Sequence, residues 1–242
     1  MKIIDAFWEK RNLGVDCKEI VISETDAISE IEQLAAFMSS VDYLVVKVPV
    51  SRFDVNSYLA SLGFTFVEAS LNMRLQIKDA VLSPLQQRLN AVIGYEEMNS
   101  ADLEQLFLEI EKGLFATDRI LLDPAFSPVQ AANRYINWIK DELGRKSQAY
   151  KIVYKGDSIG FFTFKMLEDG VYYPFLAGMY SKYFNSGLGF ATLRKPIEEV
   201  IRREGNMIST YVSSNNNAVI RTHLQLGFTV QEMSYVYIKH KN

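Results

Sequence analysis

A helix-to-strand turn that occurs twice constrains this chain most. Leu62-Gly63-Phe64-Thr65, followed by Glu68 and Ser70, returns 164 residues later as Leu226-Gly227-Phe228-Thr229, followed by Glu232 and Ser234. In each copy an apolar helical pattern runs into Gly, the usual punctuation of a helix C-terminus, and then into a strand pattern. Two readings stand. One is a common helix–Gly–strand turn met twice. The other is two copies of one α/β fold, the first lacking a Gly-rich loop between its strand and helix. Such a first copy packs and shapes a pocket but cradles no phosphate. With 242 residues and about 150 residues per domain, the chain has room for one large domain or two small ones.

The first third alternates between strands and helices. Val15–Ile22 reads as a strand, Ala27–Phe37 as a helix, Tyr43–Val50 as a buried strand, Val55–Leu62 as a short helix and Phe64–Ile77 as a long strand. This alternation implies an α/β sandwich. A polar connector containing Ser83-Pro84 and a helix over Leu85–Val92 then intervenes. The organisation expected is a first domain at 1–80, a connector at 81–92 and a second domain at 93–242.

In the second part, Ser100 is the expected N-cap of a helix over Leu103–Ile110. A loop, Gly113–Pro128, precedes a helix over Val129–Leu143 whose Tyr135 and Trp138 share a face with Ala131, Ala132 and Ile139 and read as core. Strands Ala149–Tyr154, Ser158–Met166 and Val171–Tyr180 follow, joined by tight hairpin signals, Lys155-Gly156-Asp157 and Glu168-Asp169-Gly170. They form an antiparallel meander. Helix Leu188–Glu204, strand Met207–Val212, helix Asn217–Leu226 and strand Phe228–Ile238 complete the chain. Pro196 falls inside a helix, where proline costs about 3 kcal/mol or bends the axis.

Composition removes several function classes. Apolar residues at 48% and charged residues at 23% are ordinary globular usage, which excludes a disordered chain. Lys and Arg number 26 against 29 Asp and Glu, a net charge of −3, which argues against nucleic acid as a partner. The single cysteine, Cys17, excludes an internal disulfide and a cysteine zinc site, and it reads as an inert thiol. No apolar run approaches the ~18 residues of a membrane span, and the N-terminus lacks a signal-peptide core. A cytoplasmic protein with neither membrane nor metal is the expectation, and the sequence leaves a homodimer open.

Two segments carry chemistry. In Met179-Tyr-Ser-Lys-Tyr-Phe184-Asn185-Ser186-Gly187-Leu188-Gly189-Phe190-Ala191 a strand passes through a Gly-containing turn into a helix. Glycine lets the backbone approach a ligand, and the first N–H groups of a helix have no intrahelical acceptor. Together these bind a pyrophosphate with main chain alone. The preceding strand closes a meander and Thr192 stands where a third Gly would fall, so this is not a dinucleotide-binding βαβ unit. The second segment is Ser213-Ser214-Asn215-Asn216-Asn217, ahead of a helix bearing His223; the other histidine, His240, lies in the terminal tail and needs no role.

Residues 93–242 resemble the GNAT superfamily of acetyl-CoA-dependent N-acetyltransferases. That family's pyrophosphate loop, Gln/Arg-x-x-Gly-x-Gly/Ala, is matched by Phe184-Asn185-Ser186-Gly187-Leu188-Gly189, with Phe184 in place of the polar first residue. Its Asn…Tyr-x-x-x-Gly-Phe motif is matched by Asn216…His223-Leu224-Gln225-Leu226-Gly227-Phe228. The resemblance implies a mixed, largely antiparallel GNAT-type sheet flanked by helices, preceded by a smaller truncated GNAT-like α/β half. It implies acetyl-CoA as co-substrate, held by Met179, residues 184–191 and Asn216, with the Met179 N–H polarising the thioester carbonyl. The family's tyrosine protonates the departing thiolate; here His223 holds that position, with Tyr211 and Tyr180 as alternative acids.

A closer resemblance is to the amino-sugar N-acetyltransferases related to dTDP-fucosamine acetyltransferase, on Arg119-Ile-Leu-Leu-Asp123-Pro-Ala-Phe126, Arg134-Tyr135-x-x-Trp138-Ile139 and the Ser-Ser-Asn-Asn run. It implies a primary amine of a nucleotide-linked amino-deoxy sugar as acceptor, with Arg119, Asp123 and Arg134 on the substrate side. Arg119 is alternatively the partner of Asp118 or Asp123. The base for the attacking amine is one of Asp118, Asp123 or Glu168. Other readings are acetylation of another small amine or a protein N-terminus, and a non-catalytic CoA-binding module.

Overall fold

The computed structural model describes residues 1–117 and 119–241. In chain order its elements are β1 (Lys2–Asp5), α1 (Trp8–Leu13), β2 (Cys17–Val21), α2 (Ile28–Ile31), α3 (Leu34–Met38), β3 (Tyr43–Pro49), α4 (Phe53–Ser61), β4 (Thr65–Gln76), α5 (Pro84–Asn90) and β5 (Ile93–Glu97). There follow α6 (Ser100–Glu111), α7 (Arg119–Leu122), α8 (Pro128–Gly144), β6 (Gln148–Tyr154), β7 (Asp157–Glu168), β8 (Val171–Tyr173), β9 (Ala177–Met179), α9 (Ala191–Arg202), β10 (Met207–Ser213), α10 (Asn217–Gln225) and β11 (Thr229–His240).

The eleven strands of the described residues belong to one sheet in the order β1-β2-β3-β11-β4-β10-β8-β7-β6-β5, with β9 on β7. β3 shows why its sequence is an unbroken apolar run. Leu44, Val46 and Val48 enter one core, with Ile31, Leu34, Val55 and Leu59 from α2–α4. Tyr43 and Val45 enter another, with Leu13, Ile120 and Ala131 from α1, α7 and α8. A strand covered on both faces has no polar side to alternate with. The largest core gathers Met73, Ile152, Phe162, Phe164, Ile197 and Ile208 beneath α9. No helix among the described residues is long and apolar enough to cross a membrane.

The repeated turns occupy equivalent places. Gly63 and Gly227 follow α4 and α10 with φ of 75° and 98°, the left-handed C-terminal position that glycine fills without strain. Each leads into a twelve-residue strand, β4 and β11. These two strands are exchanged: β11 lies between β3 and β4, and β4 lies between β11 and β10. The repeat-related Ser70 and Ser234 pair with each other, while Ser70 also pairs with Ser213 and Ser234 with Pro49, itself 164 residues before Ser213. An approximate two-fold axis therefore passes between the serines.

Several expectations are corrected. Ala27–Phe37 is two short helices, α2 and α3. The N-cap of α6 is Asn99, whose side chain accepts from Asp102 N at 3.0 Å while Asp102 returns the bond, a capping box; Ser100 is already helical. Capping boxes with Pro at the first position also start α5 and α8. β1, α1 and β5 were not expected, because each is too short to show a periodic pattern, and α7 lies inside the stretch read as loop. His240 is not in a free tail: it ends β11, stacks on Tyr43 with ring centroids 4.8 Å apart and bonds Asp123 at 2.8 Å.

Candidate active site

The strand expected over Val171–Tyr180 is two strands. Pro174, which has no N–H, interrupts it between β8 and β9. β8 pairs with β10 only at Val171↔Met207 and Tyr172↔Ile208, and β9 pairs with β7 alone. Beyond Ile208 a wedge therefore opens between β9 and β10. Tyr180 donates its N–H to Ile159 O, and Leu176 O accepts from Thr163 N. Ladder bonds alternate along an antiparallel strand, so the N–H groups of Ala177 and Met179 face the wedge.

The Gly-rich turn stands at the mouth of this wedge. A concavity of about 330 Å³ is lined by Met179, Tyr183, Phe184, Asn185, Ser186, Gly187 and Gly189. Asn185 and Gly187 are both left-handed, with φ of 61° and 79°, an arrangement that turns successive N–H groups toward one point. Among the described residues, the N–H groups of Gly187, Gly189 and Phe190 meet no acceptor. Gly189 has no need of glycine for its backbone, a Cβ there would meet nothing within 4 Å, and the residue lines the concavity. Leu188, Phe190 and Ala191 are buried in the core, and the Ala191 N–H is spent on Leu188 O. The Leu188 N–H meets Ser186 Oγ at 3.3 Å, so of these three only Phe190 has an N–H without an acceptor among the described residues.

Behind the wedge lies a cavity of about 640 Å³, lined from both repeats. One wall is a chain of aromatic rings from four elements and their flanks. Centroid separations are 4.2 Å for Phe115–Tyr135, 6.5 Å for Tyr135–Trp138, 5.5 Å for Trp138–Phe175, 6.2 Å for Phe175–Tyr173 and 6.4 Å for Tyr173–Tyr211. The floor is polar: Glu68, Ser70 and Asn72 stand at alternate positions of β4, beside Ser213, Ser234 and Asn216. Asn72 donates to Tyr211 Oη at 3.1 Å. At the far end Lys47 bonds Glu19 at 2.6 Å. Burial raises the Glu19 pKa, but Lys47, Arg119 and Arg134 together outweigh it and hold the carboxyl below its ordinary value.

No protein-family model matches the sequence, and no curated protein is similar to it in sequence. Solved structures are similar in fold. A GCN5-related N-acetyltransferase from Kribbella flavida superposes with TM-score 0.58 at 12% identity, over 93% of this chain and 81% of that one. A conserved protein of unknown function from Staphylococcus epidermidis gives 0.59 at 11%, over 93% and 84%. A tandem GNAT protein from the clavulanic acid biosynthesis pathway gives 0.53 at 13%, over 83% and 64%. The chain has the GNAT fold. At these identities the likeness is one of architecture.

Within the GNAT fold the sequence-predicted residues separate into three groups. Met179, residues 184–187 and Gly189 stand together around the cradle. Arg119, Arg134, Asn216 and His223 line the larger cavity. Asn216 caps α10, its Oδ1 accepting from Val219 N at 3.2 Å, which leaves its NH2 as a donor. Arg134 is held at Nε by the fully buried Glu9 at 2.8 Å, and its two terminal nitrogens have no acceptor among the described residues. Arg119 pairs with the same carboxylate at 3.7 Å, not with Asp123. Asp123 is buried against His240 and the Ala125 N–H and does not line the cavity. Glu168 is exposed at the end of β7 and also lies off the cavity, and Asp118 is outside the described residues.

His223 is not equipped to be an acid. It is buried, its Nδ1 bonds Val219 O at 2.8 Å and its ring packs edge-on against Phe228. Burial lowers its pKa to about 4, against the smaller opposing effect of the Val219 carbonyl. At neutral pH it is an imidazole with Nδ1–H committed, so its remaining nitrogen accepts and does not donate. Tyr180 is buried with its pKa raised to about 12 by burial and does not line the cavity; Tyr211 does. Tyr135 and Trp138, read as core, are cavity wall. Cys17 is buried, its pKa pushed up to about 12 by burial.

A pH dependence follows. The unfolded chain takes up a proton on His223 near pH 6.5, whereas the folded chain does so only near 4. Stability contributed by the neutral form is therefore full above pH 6.5 and lost as pH falls toward 4. Relative to His223→Phe, the wild type should lose up to about 3 kcal/mol across this window, measured by urea unfolding at fixed ionic strength.

Proposed function

We propose that this protein is an acetyl-CoA-dependent N-acetyltransferase acting on a primary amine, most specifically the amine of a nucleotide-linked amino-deoxy sugar. The observation that carries the reading is the cradle: among the described residues, the N–H groups of Gly187, Gly189 and Phe190 meet no acceptor, and Gly187 and Gly189 line a concavity with open space around the Gly189 Cα. A diphosphate is the group such an arrangement accepts. Bound acetyl-CoA supplies an activated acetyl carbonyl. Along the wedge, the Met179 N–H hydrogen-bonds and polarises that carbonyl, and Asn216 offers its amide to the pantetheine arm.

The acceptor reading is supported by the cavity's composition. A wall of aromatic rings opposite a floor of Ser, Asn and Glu suits a sugar, with an apolar face and several hydroxyls. Arg134, already oriented by Glu9, presents a fork of donors matched to a phosphate, with Arg119 beside it. Holding amine and thioester in one cavity removes the entropy cost of a bimolecular encounter. In this reading residues 1–80 are a truncated GNAT-like half, 81–92 a connector and 93–242 the coenzyme-binding unit of a cytoplasmic enzyme. Between β2 and α2 the first half has no glycine, which agrees with a half that shapes the acceptor site without holding coenzyme.

Thermal denaturation with millimolar acetyl-CoA and CoA is the first test. Ligand at 100 times its Kd should add about 2.7 kcal/mol; no shift with either ligand defeats the reading. Thiol release with a dTDP-linked 4-amino-4,6-dideoxy sugar, glucosamine and spermidine then separates amino-sugar transfer from other amines and from a non-catalytic module. His223→Phe should keep turnover in that assay.

A further inference from the structure

A primary amine is an ammonium ion at neutral pH and must lose a proton before it attacks. Of the three carboxylates the sequence offered for this role, Asp123 and Glu168 lie off the cavity, and Asp118 is outside the described residues. Among the described residues three carboxylates line the cavity, Glu19, Glu68 and Glu232. Glu19 is bonded to Lys47 and held below its ordinary pKa, which makes it a poor base. Glu232 is exposed beside a bulge in β11. Glu68 is half-buried on β4 and accepts a hydrogen bond from Ser213 Oγ. Ser213 ends β10, the strand that forms one side of the wedge.

We propose that Glu68, supplied by the first repeat through strand exchange, is the base that takes the proton from the acceptor amine; this rests on the acetyl-transfer reading above. Glu68 removes one proton from the ammonium. The freed nitrogen lone pair forms the C–N bond, and the C–S bond breaks with its electron pair on sulfur. The second proton that nitrogen loses neutralises the thiolate, and Glu68 returns its own proton to water. The truncated half thereby contributes chemistry as well as shape, which explains why β4 replaces a strand of the second half next to β10.

The test uses the full chain, acetyl-CoA and the three amines named above, with kcat/KM followed from pH 6 to 10. Among the described residues, the other ionisable groups lining this cavity are Glu19, Lys47, Arg119, Arg134, Glu232, His223, Tyr135, Tyr173 and Tyr211, all retained in the variant. Glu68→Gln should lower kcat/KM by about 10²–10⁴-fold at pH 7. The deficit should shrink as pH approaches the amine's own pKa, while the thermal shift with acetyl-CoA stays as in wild type. Glu68→Asp should recover part of the rate, and it carries the pH test if Glu68→Gln does not fold. Wild-type kcat/KM in Glu68→Gln, or a deficit that does not change with pH, overturns the proposal. So does a wild type that binds acetyl-CoA and acetylates none of the amines. Failure of acetyl-CoA to bind wild type is a different result, and it removes the acetyl-transfer reading itself.

Discussion

Gly189→Val should fold as well as wild type and bind acetyl-CoA on the order of 100-fold more weakly. The two halves of this expectation have separate causes. Gly189 lies outside the left-handed region and a Cβ there meets no atom within 4 Å, so stability should change by no more than about 0.5 kcal/mol. The branched side chain then occupies the concavity at Gly187 and Gly189 and keeps a diphosphate away from their N–H groups. Hydrogen bonds to a charged group contribute about 1.5–3 kcal/mol each, so losing two weakens binding by roughly two orders of magnitude or more. Gly187→Ala is the contrast. At φ 79° an alanine there costs roughly 1 kcal/mol in backbone strain, and it lowers stability before any ligand is added. Isothermal titration and urea unfolding on both variants separate the effects. Unchanged affinity in Gly189→Val would mean that the turn is only a turn.

Glu9→Gln should be among the most destabilising single changes in the molecule. Glu9 has no exposed surface, and its Oε1 is shared by Arg134 and Arg119, while its Oε2 is buried with no partner among the described residues. A carboxylate placed so poorly for its own solvation is retained because two guanidinium groups need it. Neutralising it removes the carboxylate that Arg134 and Arg119 share. Breaking a buried pair from one side costs about 3–5 kcal/mol, which for a chain of this size is a Tm fall of roughly 6–20 °C. Arg134→Met in the Glu9→Gln background should recover part of the loss, since the second change removes a charge the first left stranded. The sign of that coupling, from a double-mutant cycle in urea, decides the matter. A loss under about 1 kcal/mol in Glu9→Gln would place the cluster in effectively solvated surroundings.

Strand identity was legible where side chains alternate or run apolar over enough residues to show a period. β3, β4, β7, β10 and β11 all emerge within a few residues of their observed limits. The turns at Gly63 and Gly227 emerge because a left-handed residue after a helix is a local requirement. Elements of four to six residues, such as β1, β5 and α1, carry too little pattern to be seen. The break at Pro174 was visible as a proline, but its consequence depends on β7 turning to a second partner beyond the break, which no local pattern announces.

The site divides along the same line. The cradle at Gly187 and Gly189 could be found from the chain alone, because backbone dihedrals and a helix start are set by adjacent residues. The partners of Arg119 and Arg134 could not, since Glu9 lies more than a hundred residues away in sequence and meets them only when α1 packs against α8. His223 changes from an acid to an acceptor through burial, a property of everything packed around it. Glu68 comes to the cavity because two related strands trade places in the sheet, and hydrogen-bond register across non-adjacent strands is decided by the assembled core. Short-range backbone geometry is thus written in neighbouring residues, whereas charge pairing and protonation belong to the packed molecule, where desolvation makes the identity of each distant neighbour matter.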